Sequence, residues 1–249
     1  MHRIWSSLVR VLLICPAPFR KRAAAKLARY ILDRYATILV SGQEHLDRLK
    51  GTNHIFISNH LSNADAIVLD EVLKSFNPVF VAGIKLTRES GSRLMLETFK
   101  TIPINPEKAD RHALAEAVAA VKRGNSLVVF PEGTRSRSQS MIAAKKGIVL
   151  VAKMANVAIV PIGLQGTEKL LPINDKDMNQ EFFHSAAVEV NIGKPVHLPP
   201  IEDHETKKDW EERCLDYLMH CIASLLAPEY RGVYRDPESV EGEMKDEGI

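Results

Sequence analysis

The apolar and polar positions follow two alternating periods after residue 36. Short runs rich in β-branched and aromatic residues, bounded by Gly, Pro, Asn or Ser, are typical of strands, whereas longer runs repeat with helical spacing. The predicted strands are Thr37–Val40, His54–Ser58, Val79–Ala82, Thr101–Asn105, Ser126–Phe130, Val157–Ile162 and Ala187–Ile192. The predicted helices are Asp65–Lys74, Glu89–Phe99, Ala109–Arg123, Ala143–Met154 and Lys207–Leu226, with a long loop at 166–185. This alternation predicts an α/β fold with a mostly parallel central sheet of about seven strands flanked by helices.

The N-terminal part has a different pattern, which predicts two amphipathic helices at 3–15 and 20–35, separated by Pro16 and Pro18. The apolar stripe of the second helix is predicted to consist of Ala23, Leu27, Tyr30 and Ile31. Asp33 is the one acidic residue in the first 36 positions, against Arg3, Arg10, Arg20, Lys21, Arg22, Lys26, Arg29 and Arg34. A basic amphipathic pair either lies in a membrane interface or packs on the core with its arginines in solvent, and the sequence leaves both open.

Composition limits the other possibilities. A chain of 249 residues that is 45% hydrophobic suits one sizeable α/β domain, and a net charge of +2 does not favour a nucleic-acid partner. We predict a basic helical pair at 1–36, a main domain at 37–228 and an acidic tail at 229–249 that frays from Arg231 onwards. Three cysteines without metal-ligand spacing favour a reducing compartment, no disulfide and no metal site. No apolar run reaches the length of a membrane span, and the N-terminus does not resemble a signal peptide.

Two polar segments directly follow predicted strands, where α/β sheets bind their ligands. In the first segment, His60 and Asp65 are separated by four residues, with Ser62 or Asn63 as the predicted N-cap of the next helix. The carboxylate is then able to hold one imidazole nitrogen while the other takes a proton from a hydroxyl. Alternatively, Asp65 caps the helix and His60 is an ordinary loop residue. The spacing alone does not decide, because a pair in a charged stretch, His204 and Asp209, matches it too.

The second segment contains the residues of a phosphate-binding turn. Gly133 permits a tight turn, and Arg135 and Arg137 follow it directly. Glu132 is placed to hold Arg135 or to bond a substrate hydroxyl. The alternative is a basic loop that is simply solvated.

Together the two segments resemble the lysophosphatidic acid acyltransferase family, the 1-acylglycerol-3-phosphate O-acyltransferases. The resemblance is carried by Asn59, His60 and Asp65 and by the run Phe130, Pro131, Glu132, Gly133, Thr134, Arg135 and Ser136. Weaker matches are Thr101–Asn105, Val160–Ile162, Lys85 and Gly147, so that the resemblance covers roughly residues 35–200. It implies that His60 and Asp65 are catalytic and that Lys85, Glu132, Gly133, Thr134 and Arg135 bind substrate. One departure is Asn105 and Pro106 in place of an acidic residue and an arginine, with Lys108 or Arg111 as possible substitutes.

The resemblance also implies the reaction and its setting. A fatty acyl group passes from acyl-ACP or acyl-CoA to 1-acyl-sn-glycerol 3-phosphate, with no metal or bound cofactor. The expected partners are a lipid bilayer, a lysophospholipid acceptor and the acyl thioester, and no nucleic acid. The expected location is the cytoplasmic face of the cell membrane. Alternatives are a different acceptor, such as glycerol 3-phosphate or another lysophospholipid, or a non-catalytic membrane-binding module; a hydrolase is disfavoured because the chain has no Gly-x-Ser-x-Gly elbow.

Overall fold

The computed structural model describes residues 16–83, 99–105, 110–174 and 181–235. Its strands are β1 (Ala36–Ser41), β2 (Ile55–Ser58), β3 (Val79–Gly83), β4 (Lys100–Ile104), β5 (Leu127–Val129), β6 (Ile159–Gln165) and β7 (Ala186–Ile192). Its helices are α1 (Ala17–Tyr35), α2 (Gln43–Arg48), α3 (Ala64–Val72), α4 (Arg111–Lys122), α5 (Gly147–Ala155), α6 (Thr167–Leu170) and α7 (Lys207–Ala223). Short 3-10 turns lie at Lys74–Phe76, Pro228–Tyr230 and Gly232–Tyr234.

The seven strands form one sheet in the order β1-β7-β6-β2-β5-β3-β4. Adjacent strands are parallel except β6 and β7, which are antiparallel. The predicted mostly parallel sheet is therefore confirmed. Because β2 lies between β5 and β6 and parallel to both, the segments that follow these strands emerge at one edge of the sheet.

Two apolar layers cover the sheet, and β2 contributes to both because its side chains alternate between the faces. Ile55 and Ile57 pack with residues of α4, α5 and α7 on one face. Phe56 packs with residues of α1 and α3 on the other. All four residues of β2 are buried, so the strand that precedes the first polar segment is fixed from both sides.

The second N-terminal helix is found as α1, and its buried stripe differs from the predicted one. The buried residues are Ala24, Ala28, Ile31 and Leu32, whereas Tyr30 is exposed. Ala28 and Leu32 belong to the core cluster on the α3 side of the sheet, so the helix packs on the core while most of its basic residues face outward. The first predicted helix lies outside the described residues, as does most of the one predicted at 89–99. No helix among the described residues is both long and apolar enough to cross a bilayer.

The expectation that the chain frays from Arg231 is wrong for residues 231–235. The segment 228–235, here called the C-terminal strap, lies against residues 141–144 of the loop that leads to α5. Met141 N–H donates to Tyr230 O at 2.8 Å, and Val233 N–H donates to Met141 O at 3.2 Å. The acidic composition of the tail did not indicate this contact, because both of these hydrogen bonds are made by main-chain groups.

Candidate active site

The two polar segments lie side by side and are joined by hydrogen bonds in both directions. His60 N–H donates to Glu132 Oε1 at 2.9 Å, and Ser136 N–H donates to His60 O at 2.7 Å. Neighbouring parallel strands β2 and β5 bring these segments to one sheet edge, as the crevice rule for α/β folds predicts. The main chain of His60 is therefore fixed on both its donor and its acceptor side.

His60 and Asp65 form a hydrogen-bonded pair, as the sequence predicts. His60 Nδ1 lies 2.7 Å from Asp65 Oδ2, and the carboxylate is fully buried while the imidazole is 17% exposed. The same Oδ2 accepts the N–H groups of Leu61 at 2.7 Å and Ser62 at 2.9 Å. A carboxylate oxygen at this distance accepts a proton from Nδ1, so the Nε2 lone pair is directed away from Asp65. Asp65 therefore binds the imidazole and also bonds the main chain of the two residues between His60 and Asn63, which precede α3.

Two further residues orient this pair, and the sequence had placed them in the motif without a role. The ring of Phe130 stacks on the His60 imidazole, with 4.1 Å between centroids and 16° between planes. The Asn59 side chain donates to Leu164 O at 2.9 Å and accepts from Leu164 N–H at 2.8 Å. Asn59 thereby joins the end of β2 to β6, and Phe130 fixes the plane of the His60 imidazole, one residue further along the chain.

Glu132 is buried, and both its oxygens are used within the protein. Oε1 accepts from His60 N–H, and Oε2 accepts from Ile142 N–H at 3.0 Å. Burial raises the pKa of Glu132 to about 7, while the same two N–H donors oppose the rise and the charge of Asp65 adds to it. This position favours a role in holding the loop over direct contact with a substrate.

The turn after Glu132 has the predicted tight form. Gly133 adopts a φ of +70°, which L side chains rarely adopt, and a Cβ there would lie 3.1 Å from the Lys145 side chain. Thr134 directly follows Gly133 and is exposed, and Arg135 comes next with its side chain largely buried. The turn therefore presents Thr134 outward and directs Arg135 inward.

Arg135 is held by Glu181, a residue that the sequence reading missed. The guanidinium donates to Glu181 Oε1 at 2.6 Å, and the Glu181 side chain is only 3% exposed. Glu181 Oε2 accepts from Asn63 Nδ2 at 2.9 Å. Because Asn63 lies three residues beyond His60, the Arg135 guanidinium lies beside the segment of the His60–Asp65 pair.

Other candidates from the sequence either lie outside the described residues or are exposed on the surface. Lys85 and Lys108 lie outside the described residues, and Arg111 is exposed at the start of α4. The second His–Asp pair is a surface feature, as predicted: His204 is 85% exposed beside Glu202, while Asp209 accepts from Thr206 at the start of α7. Within the described ranges, no cluster of three or more His, Cys, Asp or Glu residues is suited to hold a metal ion.

Glu132 gives a pH-dependent prediction for stability. Its pKa is about 7 in the folded protein, above the usual 4.5, so its contribution to stability is fully present below about pH 4.5 and is lost as pH rises through 7. The free energy of unfolding of the wild type, relative to Glu132→Gln, is therefore expected to fall between pH 4.5 and 7.5. Urea titrations of both proteins across that range measure the difference. A difference that does not change with pH would contradict the raised pKa.

A sequence profile of the acyltransferase family matches residues 37–165, more than half of the chain and a range that contains both polar segments. The chain therefore belongs to the acyltransferase family. The match begins with β1 and ends with β6, so the family region comprises the two strand ends that bear His60 and Glu132.

The sequence relatives within this family are 1-acyl-sn-glycerol-3-phosphate acyltransferases, which confirms the resemblance drawn from the two polar segments. The chain is 31% identical over 160 residues to the chloroplastic 1-acyl-sn-glycerol-3-phosphate acyltransferase of Arabidopsis thaliana, over 64% of this chain and 44% of that protein. It is 25% identical over 198 residues to a 1-acyl-sn-glycerol-3-phosphate acyltransferase of Borreliella burgdorferi, over 78% of this chain and 72% of that one. The chain thus spans less than half the length of the chloroplast relative.

The fold is that of a solved bacterial acyltransferase. The structure of the 1-acyl-sn-glycerophosphate acyltransferase of Thermotoga maritima superposes with a TM-score of 0.60. The superposition covers 89% of this chain and 88% of that one, at 21% sequence identity. The likeness extends beyond the range of the family profile to most of the chain.

Proposed function

We propose that this chain transfers a fatty acyl group from acyl-ACP or acyl-CoA to 1-acyl-sn-glycerol 3-phosphate, forming phosphatidic acid. The observation that carries the proposal is the His60–Asp65 pair, whose 2.7 Å hydrogen bond directs a basic imidazole nitrogen away from the buried carboxylate. The names of the sequence relatives supply the acceptor.

In the proposed reaction, His60 acts as the general base. Its Nε2 takes the proton of the acceptor's free glycerol hydroxyl as that oxygen attacks the thioester carbonyl. Asp65 stabilises the imidazolium that forms, through the bond to Nδ1. When the tetrahedral intermediate collapses, the carbon–sulfur bond breaks, the new ester remains on the glycerol, and the proton passes from His60 to the departing thiolate. No side-chain nucleophile is needed, because the acceptor supplies the attacking oxygen.

Arg135 is the proposed ligand of the acceptor phosphate, within the turn formed with Glu132, Gly133 and Thr134. Its guanidinium already bonds a carboxylate, Glu181, and guanidinium groups bind carboxylate and phosphate oxygens with the same fork of N–H donors. Lys85 stays a prediction for substrate binding on the strength of the family resemblance alone.

The N-terminal segment is the proposed membrane contact, which would deliver the lysolipid from the bilayer. Along α1 the exposed Phe19 and Tyr30 are interspersed with basic residues, and such a surface suits an interface with anionic lipids. The cytoplasmic face of the cell membrane is the corresponding proposed location, and the boundary between this segment and the main domain remains a prediction.

The test of the function is acyl transfer in mixed micelles from labelled acyl-CoA and acyl-ACP. Three acceptors are compared: 1-acylglycerol 3-phosphate, glycerol 3-phosphate, and 1-acylglycerol, which lacks only the phosphate of the first. Phosphatidic acid formed from the first acceptor well above product from the others is the expected result. Equal or greater transfer to glycerol 3-phosphate or to 1-acylglycerol would refute the proposed acceptor.

The role of Arg135 predicts a selective loss of acceptor binding. Arg135→Gln is expected to raise the KM for 1-acylglycerol 3-phosphate about 10- to 100-fold, since a charge-assisted hydrogen bond contributes roughly 1.5–3 kcal/mol. The KM for the acyl donor is expected to stay unchanged. Initial rates with each substrate varied in turn measure both constants.

A double variant separates binding from folding. Arg135→Gln alone leaves the buried Glu181 charge without its ion pair, which destabilises the loop. Arg135→Gln combined with Glu181→Gln removes both charges, so that no unpaired charge remains buried at this position. A KM for the acceptor that stays high in the double variant supports direct phosphate binding, whereas recovery of a normal KM would make Arg135 a structural residue.

A further inference from the structure

The C-terminal strap bonds to a short stretch of the loop between Glu132 and α5. Besides the two main-chain bonds at Met141, Ala144 N–H donates to the Tyr234 hydroxyl at 3.1 Å. Three main-chain groups of residues 141–144 are thus bonded to the strap: the N–H and the carbonyl of Met141 and the N–H of Ala144. The strap lies outside residues 37–165, so the family profile assigns it no role.

The stretch that the strap holds also bonds Glu132. Ile142, between Met141 and Ala144, donates its N–H to Glu132 Oε2 at 3.0 Å, and the other oxygen accepts His60 N–H at 2.9 Å. Burial raises the pKa of the Tyr234 hydroxyl, the hydrogen bond from Ala144 N–H opposes the rise, and the charges of Asp216 and Glu132 add to it. A continuous path therefore runs from the strap through Ile142 and Glu132 to the main chain of His60.

We propose that the C-terminal strap positions His60 for catalysis, by holding residues 141–144 so that Ile142 and Glu132 fix the His60 main chain. The inference rests on the proposed role of His60 as the base. Tyr234 and Gly232 are positioning residues in this arrangement, because they act through Glu132 and do not touch the reacting atoms.

The packing of the strap leaves little room for another arrangement. Gly232 has a φ of +53°, and a Cβ on it would lie 1.9 Å from Met141 O. The strap therefore approaches the loop more closely than any residue with a side chain would allow. The Tyr234 ring packs edge-to-face against the buried His220 of α7, with 5.5 Å between the ring centroids. This contact restricts the position of the tyrosine side chain. Glu132 is thus anchored, through Ile142, to a segment packed on the main body of the fold.

Two variants of the full chain test the strap in the acyl-transfer assay. Tyr234→Phe removes one acceptor, and Gly232→Ala forces the strap and Met141 apart. We expect kcat to fall about 3- to 10-fold in the first and 10- to 100-fold in the second, since small misplacements of a catalytic group have effects of this order. The KM for the acyl donor is expected to stay within about twofold of the wild-type value, because the path from the strap leads to the His60 main chain and to the turn after Glu132, which is the proposed acceptor site.

A second measurement does not depend on activity. NMR-detected amide exchange of Ile142 and His60 is expected to be faster in both variants than in the wild type. Thr52→Val serves as the control, because it removes hydrogen bonds of a hydroxyl located before β2, at the opposite end of the strand from His60. If Gly232→Ala does not fold, Tyr234→Phe decides.

The outcomes are distinct. Faster exchange at both amides, together with a kcat below that of Thr52→Val, supports the proposal. Unchanged exchange at either amide, or a kcat equal to that of the control, would overturn it. A wild type without acyl-transfer activity refutes the proposed function instead, and the exchange rates still decide whether the strap holds Ile142 and His60.

Discussion

Replacing His60 with alanine is expected to lower kcat by about 10²- to 10⁴-fold, the usual contribution of a positioned general base. The hydroxyl of the acceptor would then have no group near it to take its proton. Binding of donor and acceptor should be little affected, so both KM values stay close to those of the wild type. Phosphatidic acid formation at saturating substrates measures the effect.

His60→Ala removes the imidazole and leaves the main-chain hydrogen bonds of residue 60 in place. The bonds from His60 N–H to Glu132 and from Ser136 N–H to His60 O use the main chain, and alanine retains both. The matched control is His204→Ala, which alters the histidine of the exposed pair with the same spacing. Near-normal kcat in a folded His60→Ala protein would exclude His60 as the base.

The second large effect is expected at Asp65. Asp65→Asn keeps the size of the side chain but removes the charge that stabilises the imidazolium, and kcat is expected to fall about 10²- to 10⁴-fold, the upper end being the loss seen when a catalytic histidine loses its orienting carboxylate. The fully buried carboxylate accepts three N–H groups through one oxygen, so the local stability of the His60–Ser62 segment should fall too.

Rate and stability are separated by measuring both in the same variants. Thermal unfolding and kcat are recorded for Asp65→Asn and for Asp209→Asn, the acidic residue at the equivalent position of the surface pair. A fall in kcat of less than about 10-fold in Asp65→Asn would show that the carboxylate mainly caps the segment and contributes little to the chemistry.

The sequence predicted the features of this fold that depend on local pattern. The number of strands, the mostly parallel sheet and the helices between strands follow from runs such as His54–Ser58, where alternate residues serve two faces. The antiparallel pairing of β6 with β7 was not predicted, because the 166–185 loop carries no residue pattern that sets the direction of the returning strand. Likewise Tyr30 fits a helical stripe, but the core contacts of α1 select Ala24 and Ala28.

In the candidate site, the contact between residues close in sequence was predicted, whereas contacts between distant residues were not. His60 and Asp65 are five positions apart, so their contact is a local property that the spacing can indicate. Glu181 is 46 positions from Arg135 and 118 from Asn63, and the sequence around it has no motif. The main-chain partners of Glu132 were not predicted either, because a carboxylate close to an arginine in sequence suggests an ion pair, whereas both oxygens of Glu132 accept main-chain N–H groups.

The amide of Asn59 has a consequence for the motion of His60. It bonds the N–H and the carbonyl of Leu164 as the peptide group of a neighbouring strand would, although the main chain has already left the sheet. The N–H and the carbonyl of His60 are bonded as well, so the main-chain torsions on both sides of this residue are restricted. The search for a reactive geometry then involves only the two side-chain torsions of the imidazole, and the stacked Phe130 ring and Asp65 restrict both of them before any substrate arrives.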